Sequence, residues 1–289
     1  MALCAVSAAM ALCAATPARA YIMDEVEFHN VAADTVRING LLGEAAAMGR
    51  VSTGDMAGAL AQKFLGAPYV AHTLEGAEER LRVNLDELDC TTFVEQMAAL
   101  ALTASEGRTS WRDFLSHLEN VRYRSGRMDG YVSRLHYNSD WVVDNAFRGN
   151  FSDITPGIDG VRWIVRSIDF MSSHRDRYPA LADSAVYAGI KNVESGYRNH
   201  RFPYLPHVIL KRKSTLSQLK TGDIVCLVSS LKDLDVTHLG MIVVKEGVPH
   251  LLHASMGAGK VVLSEGSVAD YIKNNRRFMG VRIIRLMDL

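Results

Sequence analysis

The sequence predicts an α+β protein in which helices come first and an antiparallel sheet follows. Up to about residue 121, apolar residues recur with helical spacing. From Gly222 onward, short apolar runs alternate with turn signals, which is typical of strands. The connections between the first of these runs are so short that neighbouring strands must pair antiparallel. This layout lets a helix from the first part pack on the sheet.

The start of the chain is typical of an exported protein. Residues 1–20 are apolar and end in Ala18-Arg19-Ala20, a small-x-small pattern that suits cleavage before Tyr21. The run is too short and too poor in bulky apolar residues to predict a transmembrane helix. We therefore expect a signal peptide, a periplasmic or envelope-associated protein, and a single domain over residues 21–289.

The charge balance argues against recruitment of nucleic acid or an anionic membrane, and the cysteine content argues against a disulfide-stabilised fold. Lys plus Arg and Asp plus Glu both number 32, so no net field recruits nucleic acid or an anionic membrane. Beyond residue 20 only Cys90 and Cys226 remain, too few for a disulfide framework. Cys226 lies in an apolar run that predicts a buried strand, where it would pack. A Cys90–Cys226 disulfide is an alternative that would silence both thiols.

Helices are predicted along most of the first two thirds. In the N-terminal region 21–65 the clearest segments are Leu41–Met48 and Met56–Phe64. A helix over residues 110–121 has Ser110 as its cap, and a further helix is expected over residues 161–181.

Residues 121–148 combine aromatic side chains with arginines. Ring faces can pack on a sugar or a peptide, and guanidinium groups bind carboxylates through paired hydrogen bonds. A ligand groove and a surface loop anchored by its aromatics explain the pattern equally well. The groove interpretation makes six residues candidates for substrate binding, the last of them in the proline-braced stretch 201–206: Tyr131, Arg134, His136, Tyr137, Trp141 and Tyr204.

Cys90 lies between an acidic run and an apolar segment of helical periodicity. Asp89 suits the N-cap, so Cys90 would occupy the first turn, where free N–H groups and the positive end of the helix dipole converge. That environment favours the thiolate, the nucleophilic form of cysteine. Taken alone, the pattern also fits a small buried cysteine.

Two histidines fall on predicted strands. The strands are Asp223–Ser229, His238–Lys245, His250–Ser255, Val261–Leu263 and Gly280–Leu286. A turn at Glu246-Gly247 would make the second and third strands neighbours, which places His238 and His253 side by side on one face. Each histidine singly also fits an ordinary hydrogen-bonded strand residue. A thiol, a histidine base and a group that orients the base form an activated nucleophile.

Five elements occur together in this order: Leu88–Glu95, Ser133–Tyr137 with Asp140-Trp141, Gly222–Val225, Val236–Gly240 and His253–Ser255. From about Tyr69 onward, the chain resembles the bacterial N-acetylmuramoyl-L-alanine amidase-like family of the NlpC-type, papain-like cysteine peptidases.

The resemblance implies a papain-like core, in which a nucleophile helix packs on an antiparallel sheet. It also implies a cofactor-free cysteine amidase that cleaves the N-acetylmuramoyl-L-alanine bond of peptidoglycan or its fragments. Cys90 would be the nucleophile, His238 the base and His253 the group that orients the base, with Tyr69 assisting at the oxyanion site. Residues 66–102 would form the nucleophile segment, residues 103–215 an insertion lining the cleft, and residues 216–289 the sheet with the histidines.

Three rival functions stay open. A D-glutamyl–diaminopimelate endopeptidase would use the same residues on another bond. A zinc amidase would recruit His238, His250 and His253. However, His250 and His253 are an odd number of residues apart on one strand, so their side chains would point to opposite faces of the sheet. A non-catalytic wall-binding module would use the aromatic segment alone. If the groove interpretation holds, Arg134→Ala or Trp141→Ala should weaken turnover without unfolding the protein.

Overall fold

The computed structural model describes residues 25–288, so the predicted signal peptide lies outside the described range. The helices are α1 (Val31–Ala47), α2 (Thr53–Gln62), α3 (Cys90–Ser105), α4 (Trp111–Arg122), α5 (Asn138–Phe147), α6 (Phe170–Ser173), α7 (Ser184–Gly196), α8 (Lys213–Leu216) and α9 (Val268–Lys273). The strands are β1 (Val26–Phe28), β2 (Leu81–Val83), β3 (Phe151–Asp153), β4 (Arg162–Arg166), β5 (His200–Pro206), β6 (Ile224–Ser229), β7 (Val236–Lys245), β8 (Val248–Ser255), β9 (Lys260–Ser267) and β10 (Phe278–Leu286). Within this range no helix combines the length and apolarity needed to cross a bilayer.

The helices of the first part begin where their caps predict. The side chains of Asn30, Ser52, Asp89 and Ser110 each accept a hydrogen bond from a backbone N–H in the first turn of the helix that follows. The predicted helices at 41–48, 56–64 and 110–121 are thus confirmed as α1, α2 and α4, although α1 begins ten residues earlier.

Helix α3 is the central helix of the molecule. Every residue from Thr92 to Ala104 is buried, as expected for a helix that is apolar on all sides. Helices α1, α2 and α4 pack around it, and its remaining side rests on β7 and β8. The helix that begins at Cys90 is therefore held on all sides.

The large sheet is antiparallel, with the strand order β4-β5-β10-β6-β7-β8-β9. Strand β3 pairs with the end of β10, whereas β5 pairs with its beginning. The β7–β8 connection is a tight turn in which Glu246 and Gly247 both have positive φ, 51° and 77°, the geometry that matches the twist of a hairpin. The five strands predicted from Gly222 onward and their antiparallel pairing are confirmed.

Both faces of this sheet are covered. Met241 and Leu252 face the core shared with α1 to α4, while their neighbours Ile242 and Leu251 face a second core closed by α9. Two-sided burial explains the nearly continuous apolar runs in these strands. The histidine-bearing strands are thus at the centre of the fold.

The helix predicted over residues 161–181 is wrong. This stretch forms β4, the short helix α6 and 3-10 turns. Residues Arg162–Arg166 pair antiparallel with β5, and their β-branched and aromatic side chains fit a strand better than a helix. The features that carried no local prediction include α5, α7, α9 and the small parallel β1–β2 sheet.

Candidate active site

Cys90 is the first residue of α3, immediately after the predicted cap. The Asp89 carboxylate accepts the N–H groups of Thr91 and Thr92, at 2.9 and 2.8 Å, and Thr92 returns a bond to the Asp89 backbone. The backbone N–H groups of Cys90 and of Leu239 on β7 lie near enough to the Cys90 sulfur to lower its pKa. Because Leu239 follows His238, the thiol lies beside the histidine strand.

The predicted preference for the thiolate is wrong for the free protein. Burial raises the pKa of Cys90 to about 11, and the neighbouring charge of Asp89 adds to the rise. The N–H groups that would stabilise a thiolate have a smaller effect, since Asp89 already takes two of those in the first turn. At neutral pH Cys90 is therefore a thiol, and it would need a base to act as a nucleophile.

The two predicted histidines are brought together. Met241 pairs with Leu252, so His253 lies across from Gly240, and His238 lies two residues further along the same face. His238 Nε2 and His253 Nδ1 are 2.6 Å apart, and the rings stand edge to face at 4.8 Å and 84°. A Cβ on Gly240 would approach that of His253 to 3.0 Å, so glycine is needed for this close approach.

Both imidazoles are neutral at physiological pH. Burial lowers the pKa of His238 to about 3, with a further contribution from His253, and burial lowers the pKa of His253 to about 4. In a neutral pair only one ring donates the shared hydrogen. Nε2 of His238 is engaged with His253, so Nδ1 is the nitrogen left to act on a neighbouring thiol.

Tyr69 is fixed beside Cys90 by backbone pairing on both sides. Its N–H donates to the carbonyl of Gly259, at 2.9 Å, and the adjoining residues Pro68 and Val70 bond to Leu88. Leu88 directly precedes the cap, so this segment and the start of α3 are locked together. Burial, followed by the nearby Cys90 and Asp89, raises the pKa of Tyr69 to about 12, so its hydroxyl keeps its proton as a neutral donor.

Tyr271 on α9 was not predicted as a site residue. Its ring stands nearly perpendicular to His253, with centroids 5.0 Å apart, and the charge of Cys90 contributes to a raised Tyr271 pKa after burial. A signal for α9 was present, because Ser267 and Asp270 form an S-x-x-D pattern and Ser267 caps the helix. No pattern in the sequence indicated that this helix reaches the histidines.

Arg134 is consumed by partners within the protein. It is 5% exposed, lies 2.8 Å from Glu75 and 3.6 Å from Glu79, and donates to the carbonyl of Leu74. Its guanidinium also stacks on Tyr131 at 4.7 Å. The expected substrate-binding arginine thus holds the 74–79 loop in place.

His136 and Tyr131 form a local unit. The Nε2 of His136 bonds to the Tyr131 carbonyl at 2.8 Å, and the two rings lie 4.4 Å apart. Burial lowers the pKa of His136 to about 3, which leaves the ring neutral. Both residues keep partial exposure.

The structure does not bring the other three candidates to a surface from which they could contact a ligand. Tyr137 is 3% exposed and bonds to Glu194, Trp141 is 2% exposed and packs on Phe151, and Tyr204 is 8% exposed. Their rings anchor the insertion to the core, which was the alternative interpretation of this segment.

Other titratable groups lie apart from this centre. Within residues 25–288 no three His, Cys, Asp or Glu side chains form a group that could hold a metal ion. His250 bonds to the carbonyl of Ser264 instead of meeting the other two histidines. Cys226 is buried on β6, and neither it nor Cys90 forms a disulfide.

Several proteins of known structure are similar to this chain over most of its length. An N-acetylmuramoyl-L-alanine amidase from Bacteroides uniformis shares 36% identity over 81% of this chain and 98% of its own, with a TM-score of 0.77. A Bacteroides fragilis protein described only as a xylanase candidate shares 36% identity over 78% of this chain and 99% of its own, with a TM-score of 0.73. None of the curated proteins compared with the chain matches it.

A Legionella pneumophila protein shares the fold at 20% identity, with a TM-score of 0.67 over 89% of this chain and 97% of its own. A family model for AmiA-like, N-acetylmuramoyl-L-alanine amidase-like proteins matches residues 59–281, which include the helix of Cys90 and both histidine strands. The chain therefore belongs to the AmiA-like, N-acetylmuramoyl-L-alanine amidase-like family.

Proposed function

We propose that this protein is an exported cysteine amidase that hydrolyses the amide between the lactyl group of N-acetylmuramic acid and L-alanine in peptidoglycan or its fragments. The observation that carries the proposal is the convergence of three groups. The Cys90 sulfur lies against the strand of His238, and His238 contacts His253 at 2.6 Å. Family membership supports the choice of peptidoglycan and of this bond.

Acylation begins with a neutral thiol and a neutral imidazole. Nδ1 of His238 takes the thiol proton as the Cys90 sulfur bonds to the amide carbonyl carbon. His238 Nε2–H donates to Nδ1 of His253, which orients the base and stabilises its charged form. His238 then passes the proton to the amine of L-alanine as the C–N bond breaks, leaving a thioester on Cys90.

Deacylation repeats these steps with water. His238 takes a proton from water as the water oxygen attacks the thioester. The C–S bond then breaks, and the sulfur recovers its proton. The backbone N–H of Cys90 and the neutral hydroxyl of Tyr69 are the oxyanion donors we infer, because Asp89 already holds the N–H groups of Thr91 and Thr92.

The architecture supports a papain-like, NlpC-type core as part of this proposal. The thiol is at the start of a central helix, and both histidines are on adjacent antiparallel strands that this helix touches. Residues 103–215 would then be the insertion that shapes the cleft, with partly exposed Tyr131 and His136 as its remaining candidates for substrate contact.

A glycosidic bond is a less suitable target for this centre. Hydrolysis of such a bond generally needs a pair of carboxyl groups on either side of it. The nearest carboxylate here, Asp89, is committed to capping α3. The xylanase description of the Bacteroides fragilis protein therefore does not fit the residues of this centre.

Mass spectrometry of defined muropeptides incubated with the purified protein tests the proposal. We expect free muramyl sugar and an intact peptide beginning with L-alanine. A sugar that keeps L-Ala-D-Glu, with a peptide that starts at diaminopimelate, would make the protein an endopeptidase. Cys90→Ala should abolish turnover, while Cys226→Ala serves as a matched control that should retain it. EDTA should leave the rate of turnover unchanged. A loss of activity with EDTA that zinc restores would contradict the thiol mechanism.

A further inference from the structure

A small enclosed cavity lies beneath the first turns of α3. Its volume is about 10 Å³. Residues of the 73–84 loop region and of α3 and α4 line it: Thr73, Leu74, Arg82, Asn84, Thr92, Gln96 and Arg122. The cavity therefore joins the loop after Tyr69 to the helix that carries Cys90.

Three buried polar atoms from this lining have no hydrogen-bond partner among the described residues. They are Thr73 Oγ1, Gln96 Oε1 and Arg122 Nη2. Gln96 and Arg122 are each 1% exposed, and their other polar atoms are paired. Buried polar groups are destabilising when they lack a partner, so a ligand that satisfies all three would be held firmly.

We propose that this cavity binds one structural water molecule. Its oxygen accepts a hydrogen from Arg122 Nη2, one of its hydrogens is donated to Gln96 Oε1, and Thr73 Oγ1 supplies the third bond. A buried water needs about 10–15 Å³ and two to four polar partners, and this site offers both.

Size and charge favour water over an anion. A volume of about 10 Å³ is close to the minimum that one water molecule needs. The charge of Arg122 is already matched by Glu95, whose Oε2 lies 2.6 Å from Nε. The water would tie the loop at Thr73 to the helix start without adding charge near Cys90.

A crystal structure of the protein at about 1.5 Å resolution tests the site directly. We expect a single peak within hydrogen-bond distance of all three atoms. Direct bonds among the three atoms, with no peak between them, would overturn the proposal. An anomalous peak after a bromide soak would also overturn it, since the ligand would then be an anion.

A substitution provides a second measurement. Thr73→Val keeps the shape of the side chain and removes one partner of the water, so we expect its Tm to fall by about 2–6 °C. Thr109→Val, at an exposed position, is the matched control and should leave Tm unchanged. Equal Tm values for the two variants would contradict the proposal.

A separate observation concerns the ring of Tyr271. Four rings follow one another from β7 to β10: His238 on His253 at 4.8 Å, His253 on Tyr271 at 5.0 Å, and Tyr271 on Phe278 at 6.1 Å. The first two contacts are edge to face and the last is stacked. Such contacts favour particular ring orientations and stabilise the packing of the rings.

The geometry points to Tyr271 as a positioning residue that holds the ring of His253, and through it the base. This inference rests on the proposed function. Without the perpendicular ring, His253 can turn, and the 2.6 Å contact that orients His238 loosens. A misplaced base lowers the rate of the chemical step more than it weakens substrate binding.

Kinetics of two variants separate this role from a loss of folding. Tyr271→Leu should lower kcat at least tenfold with KM nearly unchanged, whereas Tyr271→Phe keeps the ring and should restore kcat. In a His253→Ala background, Tyr271→Leu should have no further effect, because both act through one contact. Phe28→Leu, which removes a ring packed on Trp111 in the N-terminal region, is the control and should leave kcat unchanged.

The outcomes distinguish the two proposals. If Cys90→Ala keeps its activity, the proposed function fails. If Cys90→Ala is inactive while Tyr271→Leu matches the wild type, or while its effect adds fully to that of His253→Ala, only the role of Tyr271 fails.

Discussion

At the scale of single residues, the Asp89 carboxylate and the Cys90 sulfur compete for the backbone N–H groups at the start of α3. Asp89 takes two of the first-turn N–H groups and places a negative charge beside the thiol. The same residue that starts the helix at Cys90 therefore opposes ionisation of Cys90. In the proposed mechanism, activation of the thiol falls to His238, which burial keeps neutral and able to accept a proton.

This competition predicts how Cys90 reacts with iodoacetamide in the free protein. Because the pKa of Cys90 is raised to about 11, the thiolate fraction grows with pH throughout the neutral range. We expect the alkylation rate to rise about tenfold per pH unit between pH 6 and 9. Mass spectrometry of the modified peptide gives the rate, with Cys90→Ala as the blank. A plateau between pH 5 and 8 would instead reveal a thiolate–imidazolium pair.

The two histidines should differ in their effect on turnover. His238→Ala removes the base and should cost about 10³-fold or more in kcat, nearly as much as losing Cys90. His253→Ala leaves the base in place and removes its orienting contact, so measurable activity should remain. Muropeptide turnover by variants shown to be folded by circular dichroism gives the comparison. Near wild-type rates for His238→Ala would contradict the assignment of the base.

Residue identities predicted part of this centre. Strand alternation and a two-residue turn were enough to place His238 beside His253. The thiol pKa could not be predicted, because it depends on burial that only the packed structure supplies. Arg134 likewise looked free in the sequence, yet its partners Glu75 and Glu79 are more than fifty positions away.

At the scale of elements, local caps marked some of the predicted helices, although α7 and α9 also carry their own caps and were not predicted. Ser110 and Asp89 each mark the residue before a helix. Helix α5 lacks a side-chain cap of its own, and the carboxylate of Asp235 accepts the N–H of Ser139 at its start. A cap that arrives from 96 positions away leaves no local trace, so α5 could not be predicted.

Only a glycine fits at position 222, where α2 meets the sheet. Gly222 has φ of +86°, and a Cβ there would lie 1.8 Å from the carbonyl oxygen of Gly54 on α2. Gly222→Ala should therefore destabilise the protein by about 2–4 kcal/mol, through both the clash and the left-handed backbone. Gly247→Ala shares the positive φ but meets open space, and about 1 kcal/mol is expected. Urea unfolding of both variants checks the difference, and equal losses would show that backbone strain alone matters.

Burial changes the expected result for Arg134→Ala. The substitution leaves Glu79 buried without its cation, so we expect a loss of about 3 kcal/mol in the free energy of unfolding. Lys211→Ala breaks an exposed pair with Asp270 and should cost under about 1 kcal/mol. Thermal unfolding compares the two variants. If Arg134→Ala kept full stability and lost only turnover, the arginine would act on substrate as the sequence first suggested.

At the scale of the whole molecule, residues 138–166 are bound to the strands around His238 through buried polar contacts. Asp235, just before β7, joins the insertion at α5. Arg166 on β4 donates to the carbonyl of Ser229, the last residue of β6, and to that of Leu234 on the loop that precedes β7. Both contacts act on the segment that leads to His238. The position of His238 therefore depends on these contacts as well as on its own strand.

Burial keeps His136, His238 and His253 neutral, and this makes stability depend on pH. Their folded pKa values of about 3, 3 and 4 lie below the ordinary value of 6.5. Below pH 6.5 the unfolded chain binds more protons at these sites than the folded chain, so acidification favours unfolding. Their contribution to stability is complete above pH 6.5 and is lost as the pH falls towards 3 to 4.

Each of these histidines should add up to about 1.4 kcal/mol per pH unit to the slope of unfolding free energy between about pH 6 and 4. Buried carboxyl groups such as Glu95 and Asp235, whose pKa values burial raises, act in the opposite sense. A variant at His136, which is outside the proposed catalytic set, isolates the contribution of one buried histidine to this slope. His136→Gln should lower the slope measured by urea unfolding from pH 7 to 4.5, whereas His29→Gln, at an exposed position, should not. Identical slopes for His136→Gln and the wild type would mean that the imidazole of His136 is protonated in the folded protein as readily as in the unfolded chain.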